Sequence, residues 1–384
     1  MRQKKQIPWK TIGLTLLAAL VGGAVGYWGM CQVDALGLPG LLALLLLLVL
    51  AYVLQVVVHE GGHLVCGLLT GYRALSFRIG RMLLVKLDGR WKLRAYHIPG
   101  TGGQCLMAPP AQERPPYRLY HLGGGLANLL LAALALPVFL RTGAPLLRVF
   151  AGALVLIGGW IAGTNLIPMK MGGVANDGYN ARNLGKDPLA LQCSCVQLWI
   201  VEALQEGYSL ADMPEEWFDL PPKADLQNVL IMGTAIQRAS RLMARGELEE
   251  ADRAIRELLC GGHDLLGLHR LELTCEEIYC ALVLGRVREA ERLFTPEVRR
   301  YCRQTRKYCP GRVRQAYAWA LLAERDVEKA RDLRAEFERA AARYPYSGEL
   351  AGERNLMNRA DQAFRASSTQ SGRAEPPAQK VEKI

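Results

Sequence analysis

The sequence predicts an all-α membrane protein with about four transmembrane helices, a surface β-hairpin-like insertion and a cytoplasmic α-helical repeat domain. Three observations predict this fold class. Long uncharged runs are confined to the first 170 or so of the 384 residues, β-like segments follow the second run, and a charged helical pattern repeats in the carboxy-terminal half. The predicted boundaries are 1–218 for the membrane domain, 219–366 for the helical repeats and 367–384 for a disordered tail.

Four stretches contain no Asp, Glu, Lys, Arg or His and are long enough to cross a hydrocarbon core. They are residues 11–31, 35–58, 122–140 and 149–169. The first is interpreted as a retained anchor, because no small-residue cleavage pattern follows it. The segments before and between the runs contain four, none, nine and two Lys and Arg residues. By the positive-inside rule, this alternation predicts an integral protein of the cell membrane with both termini in the cytoplasm.

The net charge of +11 is explained by anionic lipid headgroups, because many basic residues flank the apolar runs. The lipid bilayer is therefore a predicted partner, and nucleic acid is not. The ten cysteines include no CxxC pair, and most are interpreted as reduced thiols.

The second apolar run continues through QVVVHEGGHLVCGLLTG without a proline, which predicts one helix from about Pro39 to Thr70 with a cap at Gly71. Residues 72–117 alternate β-like pieces with turn signals, which predicts a hairpin or irregular segment at the membrane surface. For residues 104–110 a partly buried membrane loop is one alternative, which the sequence does not decide. Residues 189–204 predict a packed or interfacial helix and not a fifth span.

A charged helical pattern recurs in RGELEEADRAIREL, LGRVREAERLF and ERDVEKARDLRAEF. Within it, Ala251, Ala290 and Ala330 follow one another at spacings of 39 and 40. Each unit is interpreted as a helical hairpin in which a small residue lets the second helix pack against the first. The pattern resembles a tetratricopeptide-type solenoid, and an ordinary helical bundle is the alternative. A protein partner at these repeats is predicted.

The segment His59-Glu60-Gly61-Gly62-His63 lies toward the inner end of the second predicted helix. Its two imidazoles, four residues apart on one helical face, have the spacing that holds a single zinc ion. Glu60 is placed to take a proton from the attacking water and to return it to the leaving amine. Ionisable groups at this depth are costly, which favours a functional site over structural interhelical hydrogen bonds.

A zinc hydrolase needs a third protein ligand and an open fourth position. Asp177 is the preferred candidate, because the fourth span is predicted to end at the same membrane face as the two histidines. The alternative is that Asp177 is merely the turn aspartate of an Asn-Asp-Gly sequence. His97 and His121 flank the membrane and are interpreted as interfacial side chains.

The third apolar run is rich in small residues, which predict close helix packing in lipid. They are Gly123, Gly124, Gly125 and Ala127. Asn128 in the same run is a buried amide, for which an interhelical hydrogen bond is favoured over a substrate contact.

VVVHEGGH in a membrane helix, followed about a hundred residues later by GTNLIPMKMGGVANDG, resembles the site-2 protease family of intramembrane metallopeptidases. The resemblance covers residues 36 to about 184. It implies that His59, His63 and Asp177 hold one zinc ion per chain and that Glu60 is the catalytic base.

The same resemblance implies supporting roles for Asn165 and Pro168, which begin the second motif, and for Gly178, which follows the third ligand. The spacing departs from the family pattern, because eight residues separate Pro168 from Asp177 where about four are usual. Pro168 is expected to break the fourth helix.

The predicted function is hydrolysis of peptide bonds in transmembrane or membrane-associated proteins or peptides by a zinc metalloendopeptidase. The alternative is a membrane adaptor that contributes little catalysis and recruits partners through its helical repeats. A metal-handling membrane protein is a third possibility, which the lack of a chain of intramembrane acids disfavours.

Overall fold

The computed structural model describes residues 9–34, 37–87, 89–96, 101–171, 173–262 and 265–372. Within these ranges the chain is mostly helical. The α-helices are α1 Trp9–Val33, α2 Gly37–Leu69, α3 Tyr117–Arg141, α4 Pro145–Leu166, α5 Asp177–Asn183, α6 Pro188–Gln205, α7 Val229–Arg245, α8 Leu248–Cys260, α9 Gly267–Val283, α10 Val287–Leu293, α11 Pro296–Thr305, α12 Pro310–Leu322, α13 Val327–Ala341 and α14 Ser347–Gly372. The strands are β1 Arg73–Ile79, β2 Met82–Leu87, β3 Arg90–Ala95, β4 Gly103–Ala108, β5 Lys170–Met171 and β6 Val174–Ala175.

By its internal contacts the chain divides into two units. The first comprises Met1–Leu83 with Ile98–Leu191, and the second comprises Leu84–His97 with Gln192–Ile384.

Helices form at all four predicted spans. α2 matches the predicted helix closely, and Gly71 follows it with a φ of 84°, a left-handed conformation that favours glycine and ends helices. Among the described residues, α2, α3 and α4 are long and apolar enough to cross a membrane, whereas α6 is not one of these helices. Much of the outer apolar surface of α2 and α3 is exposed, including Leu46 (68%) and Leu134 (65%).

In the first unit, α2, α3 and α4 pack against one another through small residues. A Cβ atom at Gly62 of α2 would collide with the carbonyl oxygen of Gly123 in α3, and a Cβ at Gly123 would collide with that of Gly62. The predicted close packing of the third apolar run is therefore confirmed. The backbones of α2 and α3 meet directly beside the His-Glu-Gly-Gly-His segment.

The segment after α2 forms a four-stranded sheet in the order β3-β2-β1-β4, where the sequence predicted a hairpin or irregular segment. β1 and β4 are antiparallel, with Arg73 opposite Ala108 and Ile79 opposite Gly103. Residues 104–110 therefore contain most of a strand that pairs with a distant part of the chain. The fold is mostly helical with a small antiparallel sheet, so the prediction of an all-α protein was correct only in part.

A short hairpin connects α4 to α5. α4 ends before Pro168, as expected, because proline disfavours a helical conformation in the residue that precedes it. β5 and β6 then pair antiparallel around Gly173, which has a φ of 90°. The backbone N–H of Asn176 donates to the carbonyl of Met169 at 3.1 Å, so the chain returns close to the point where it left. Because the hairpin folds back on itself, the long spacing between Pro168 and Asp177 does not carry the chain away from the end of α4.

In the second unit, the repeated sequence pattern corresponds to three helical hairpins, α7–α8, α9–α10 and α12–α13. The alanines at the three repeat positions are buried: Ala251 (0%), Ala290 (0%) and Ala330 (2%). Five residues before each of them stands a residue with positive φ: Gly246 (79°), Gly285 (77°) and Arg325 (59°). The internal repeat therefore includes a positive-φ residue in the turn that joins the two helices of each hairpin.

We expect Gly285→Ala to lower the free energy of unfolding by about 1 kcal/mol, the cost of a left-handed conformation for an L-residue. No atom lies within 4 Å of a Cβ at this position, so the loss would come from the backbone alone. Chemical denaturation of the full-length chain measures it. Gly267→Ala is the control, because a Cβ there also meets nothing and its φ is not positive. Equal stability of the two variants would contradict the prediction.

The last helix is longer than the sequence suggested. α14 extends to Gly372, so residues 367–372, assigned to a disordered tail from their composition, are helical. The rest of that predicted tail, residues 373–384, lies outside the described residues, as does His97.

Candidate metal centre

Three candidate ligands converge between α2 and the start of α5. The Nε2 atoms of His59 and His63 lie 3.2 Å apart. Oδ2 of Asp177 lies 3.8 Å from the first of these nitrogens and 3.4 Å from the second. The structure thus brings together residues that are more than a hundred positions apart in the sequence, despite the long spacing after Pro168.

Hydrogen bonds on the far side of each imidazole determine which nitrogen faces the cluster. Nδ1 of His63 lies 2.8 Å from the carbonyl oxygen of Tyr120, which only accepts, so Nδ1 carries the proton. Nδ1 of His59 lies 2.7 Å from Oδ1 of Asn128, which also only accepts. In the neutral imidazoles both Nε2 atoms are therefore lone-pair donors that point at each other. A cation between them, either a proton or a metal ion, would offset the repulsion of the two lone pairs.

The donor set fits zinc. Zinc binds histidine nitrogen and carboxylate oxygen at about 2.0–2.2 Å in tetrahedral geometry, which places any two ligand atoms about 3.3–3.5 Å apart. The three observed separations of 3.2, 3.4 and 3.8 Å are close to these edges. Two imidazoles and one carboxylate also leave one tetrahedral position for water or substrate, as catalytic zinc sites do.

Asp177 is the first residue of α5 and carries the negative charge of the site. Burial alone would raise its pKa, but the hydrogen bonds and positive charges that His121 and His63 supply when their imidazoles are protonated lower the pKa well below its usual range. Asp177 is therefore a carboxylate at neutral pH. Its Oδ1 lies 3.4 Å from Nδ1 of His121, whereas its Oδ2 faces the other two histidines. His121 thus holds the orientation of the carboxylate.

Asn128 positions His59 from α3. Its side chain is fully buried, and its Nδ2 donates to the backbone oxygen (2.8 Å) and to Oε1 (2.6 Å) of Gln55. Gln55 in turn donates to the carbonyl of Leu154 in α4 at 2.8 Å. The favoured interpretation of Asn128 as an interhelical hydrogen-bonding residue is confirmed. A partner of this kind fixes the tautomer and ring orientation of a metal-binding histidine.

Glu60 lies on α2 beside the edge strand β4. Only 8% of it is exposed, and a Cβ at Gly103 would lie 2.6 Å from its Oε1 atom. The backbone of Cys105 provides a hydrogen bond to the carboxylate. The absence of a side chain at Gly103 therefore makes room for Glu60, one residue beyond the candidate ligand His59.

Gly124 of α3 leaves space beside the two imidazoles. A Cβ atom there would lie 2.5 Å from Nε2 of His63 and 2.8 Å from Nε2 of His59. Carbon and nitrogen normally approach no closer than about 3.5 Å. Any side chain at this position would compete for space with the imidazoles and with an ion held between them.

Asn176 is the N-cap residue of α5 and links it to the end of α4. Its Nδ2 donates to the carbonyls of Thr164 and Ile167, each at 2.7 Å. Its Oδ1 accepts from the backbone N–H groups of Met169 (3.0 Å) and Tyr179 (2.9 Å). The amide nitrogen and the amide oxygen of Asn176 each make two hydrogen bonds, and together these bonds fix the start of the helix that begins with Asp177.

The other residues of the second motif act away from the cluster. Nδ2 of Asn165 donates to the carbonyl of Ile161 in its own helix at 2.8 Å. A Cβ at Gly178 would collide with the carbonyl oxygen of Leu166, so this glycine lets α5 approach the end of α4. Pro168 lies just beyond that helix end. None of the three adds a donor to the cluster, and Gly178 is the one whose contacts bear on the position of α5.

Several supporting residues escaped the sequence analysis. Gln55 had a visible signal, since it is a polar residue one helical turn before His59 in an otherwise apolar run. Asn176 had another, because asparagine is preferred at helix N-caps. His121 was interpreted as an interfacial side chain, yet it contacts Asp177. Tyr120 contacts His63 through its backbone carbonyl, so the type of its side chain could not have predicted this contact.

Comparison with known proteins finds no matching family model, no matching curated protein and no matching solved structure.

Proposed function

We propose that the chain is an intramembrane zinc metalloendopeptidase that hydrolyses peptide bonds of transmembrane or membrane-associated proteins or peptides. The observation that carries the proposal is the convergence of His59, His63 and Asp177 with tetrahedral spacing, next to a carboxylate at Glu60. The motif resemblance to the site-2 protease family, together with this cluster at the end of a 33-residue apolar helix, supports the choice of intramembrane proteolysis.

The exposed apolar surface supports the membrane location. Large apolar side chains such as Leu42 (59% exposed), Leu46 (68%) and Leu130 (62%) would be unfavourable in water and are expected against lipid tails. The Lys and Arg counts support an arrangement in the cell membrane with both termini in the cytoplasm. In that orientation the cluster lies at the cytoplasmic end of α2, where water for hydrolysis is available.

A zinc ion at this site would polarise the scissile carbonyl and make a water molecule acidic near neutral pH. Glu60 then accepts the proton of the attacking water and delivers it to the leaving amine. Asn128 and the Tyr120 carbonyl hold the two imidazoles by their Nδ1 atoms, and His121 holds the carboxylate of Asp177. The helical hairpins of the second unit would recruit or restrain protein substrates.

Zinc content and metal removal test the proposal. We expect the purified full-length protein to contain about one zinc ion per chain. In membranes that contain the protein, a metal chelator should cause an uncleaved membrane peptide to accumulate, and added zinc should restore its cleavage. A purified protein without stoichiometric zinc, or membranes in which chelation changes no peptide, would refute the proposal.

A further inference from the structure

A cavity of about 210 Å³ lies in the second unit among α11, α12 and α13. It is lined by several cationic side chains but by only one carboxylate among the described residues, that of Glu324. The cationic residues are Arg299, Arg303, Arg306, Arg312 and Lys329. We call this cavity the arginine groove.

Three of these cations already have a carboxylate partner. Arg306 pairs with Glu336 at 3.0 Å, and Lys329 pairs with Glu324 at 2.6 Å. Arg312 is fully buried and pairs with Glu276. Their charges are therefore balanced by the chain itself.

Arg299 and Arg303 have no ion pair to a carboxylate within the described part of the chain. They stand four residues apart on α11, where two like charges repel and lower the stability of a helix. Arg299 and Arg303 are both exposed. The guanidinium of Arg299 lies over the rings of Phe294 (4.9 Å) and Trp319 (5.8 Å), which fixes its position. Two positive charges thus line one concave site, and no carboxylate of the described residues is paired with either.

Two buried hydrogen-bond donors also lack a partner at this site. Oε1 of Gln315 accepts from Nη1 of Arg312 at 2.9 Å and from the thiol of Cys302 at 3.3 Å, which assigns the other end of the amide as Nε2. Within the described residues, that Nε2 atom and Nε of Arg312 have no hydrogen-bond partner, although both side chains are 98% buried. Buried donors are normally satisfied, so both call for an acceptor that the described residues do not supply.

We propose that the arginine groove binds a phosphate group, either free phosphate or the phosphate of a small organic ester. A phosphate monoester carries up to two negative charges near neutral pH and three strong acceptor oxygens. It therefore matches two unpaired guanidiniums and two unpaired donors, whereas a carboxylate has one charge and two oxygens. Guanidinium groups form paired hydrogen bonds with phosphate.

The size and the wall of the groove agree with this ligand. A water molecule occupies about 30 Å³ in the liquid, so the cavity has room for a phosphate with a small organic group. The Phe294 and Trp319 rings, with centroids 4.3 Å apart, provide an apolar wall against which such a group packs. This binding site is separate from the proposed proteolysis and does not depend on it.

Isothermal titration of the purified full-length protein at low salt tests the proposal with three probes: inorganic phosphate, phenyl phosphate and acetate. We expect a phosphate probe to bind in preference to acetate. Tighter binding of phenyl phosphate would identify an organic ester as the ligand, and equal binding of the two phosphates would identify the free ion. Absence of phosphate binding, or acetate binding as tight as that of phosphate, would overturn the proposal.

Arg303→Gln should weaken phosphate binding at least about tenfold, because it removes a charged hydrogen-bond donor. The matched control is Arg300→Gln, an exposed residue of the same helix that does not line the groove. It makes the same change in net charge and should leave the affinity unchanged. Equal losses in the two variants would mean that phosphate binds by overall charge alone, and the site would be rejected.

Discussion

Replacing Glu60 with glutamine should slow peptide hydrolysis about 10²- to 10⁴-fold, which is the usual contribution of a general base. Glutamine has nearly the same size but cannot accept the proton of the attacking water. The variant should fold, because its amide oxygen can still accept the hydrogen bond from the Cys105 backbone in the space that Gly103 provides. The three proposed zinc ligands are unchanged, so zinc content should stay at the expected value of about one per chain. Comparison of membrane proteomes from cells with the wild-type and variant proteins would reveal the accumulating substrate.

Glu113→Gln is the control for this experiment, because Glu113 is exposed and lies outside the cluster. It should leave cleavage unchanged. The comparison also separates the enzyme from the adaptor alternative, since a scaffold has no use for a base beside a metal. Undiminished cleavage by the Glu60→Gln protein would disprove the mechanism. A Glu60→Gln protein that supported every cellular role of the wild type would favour the adaptor.

Local patterns in the sequence predicted the helices and two of the candidate ligands. The bounds of α2 followed from an uninterrupted apolar run and from Gly71, whose positive φ is a conformation that glycine adopts readily. The convergence of His59 and His63 followed from a helical spacing of four residues. Both features depend on neighbours in the chain, which is why they can be read from residue types alone.

Features that depend on distant contacts were not predictable in the same way. β4 exists because it pairs with β1 some thirty residues earlier, and no pattern within residues 103–108 specifies that partner. The contact between His121 and Asp177 joins positions 56 residues apart. The spacing between Pro168 and Asp177 departs from the family pattern, and the sequence analysis did not predict the β5–β6 hairpin that spans it. Turn glycines such as Gly173 are the only local hint.

Small residues of α2 and α3 determine how closely the two helices approach each other at this site. The imidazoles of His59 and His63 lie against α3, because the backbones of α2 and α3 come into contact at Gly62 and Gly123. The sequence predicted that approach from the run of small residues but attached no function to any single one. The structure distinguishes them, since only Gly124 faces both imidazole Nε2 atoms.

Gly124→Ala should therefore abolish zinc binding, with zinc content falling from about one per chain to nearly none. The added methyl group would lie 2.5 Å from Nε2 of His63 and 2.7 Å from Cε1 of His59, inside van der Waals contact. The rings cannot move aside freely, because their Nδ1 atoms are hydrogen-bonded to the Tyr120 carbonyl and to Asn128. Alanine has the highest helix propensity, so α3 itself should not be weakened. Metal analysis of the purified variant measures the effect.

Gly61→Ala is the matched control, because it lies within the same five-residue motif and a Cβ there meets no atom within 4 Å. It should retain zinc and cleavage. Gly125→Ala is a second control, since the three atoms nearest to its Cβ all belong to the side chain of Leu166, whose rotamer can change. Circular dichroism distinguishes zinc loss from loss of folding in each variant. A folded Gly124→Ala protein that binds zinc as tightly as wild type would show that the metal does not lie between these imidazoles. The assignment of His59 and His63 as zinc ligands would then be wrong.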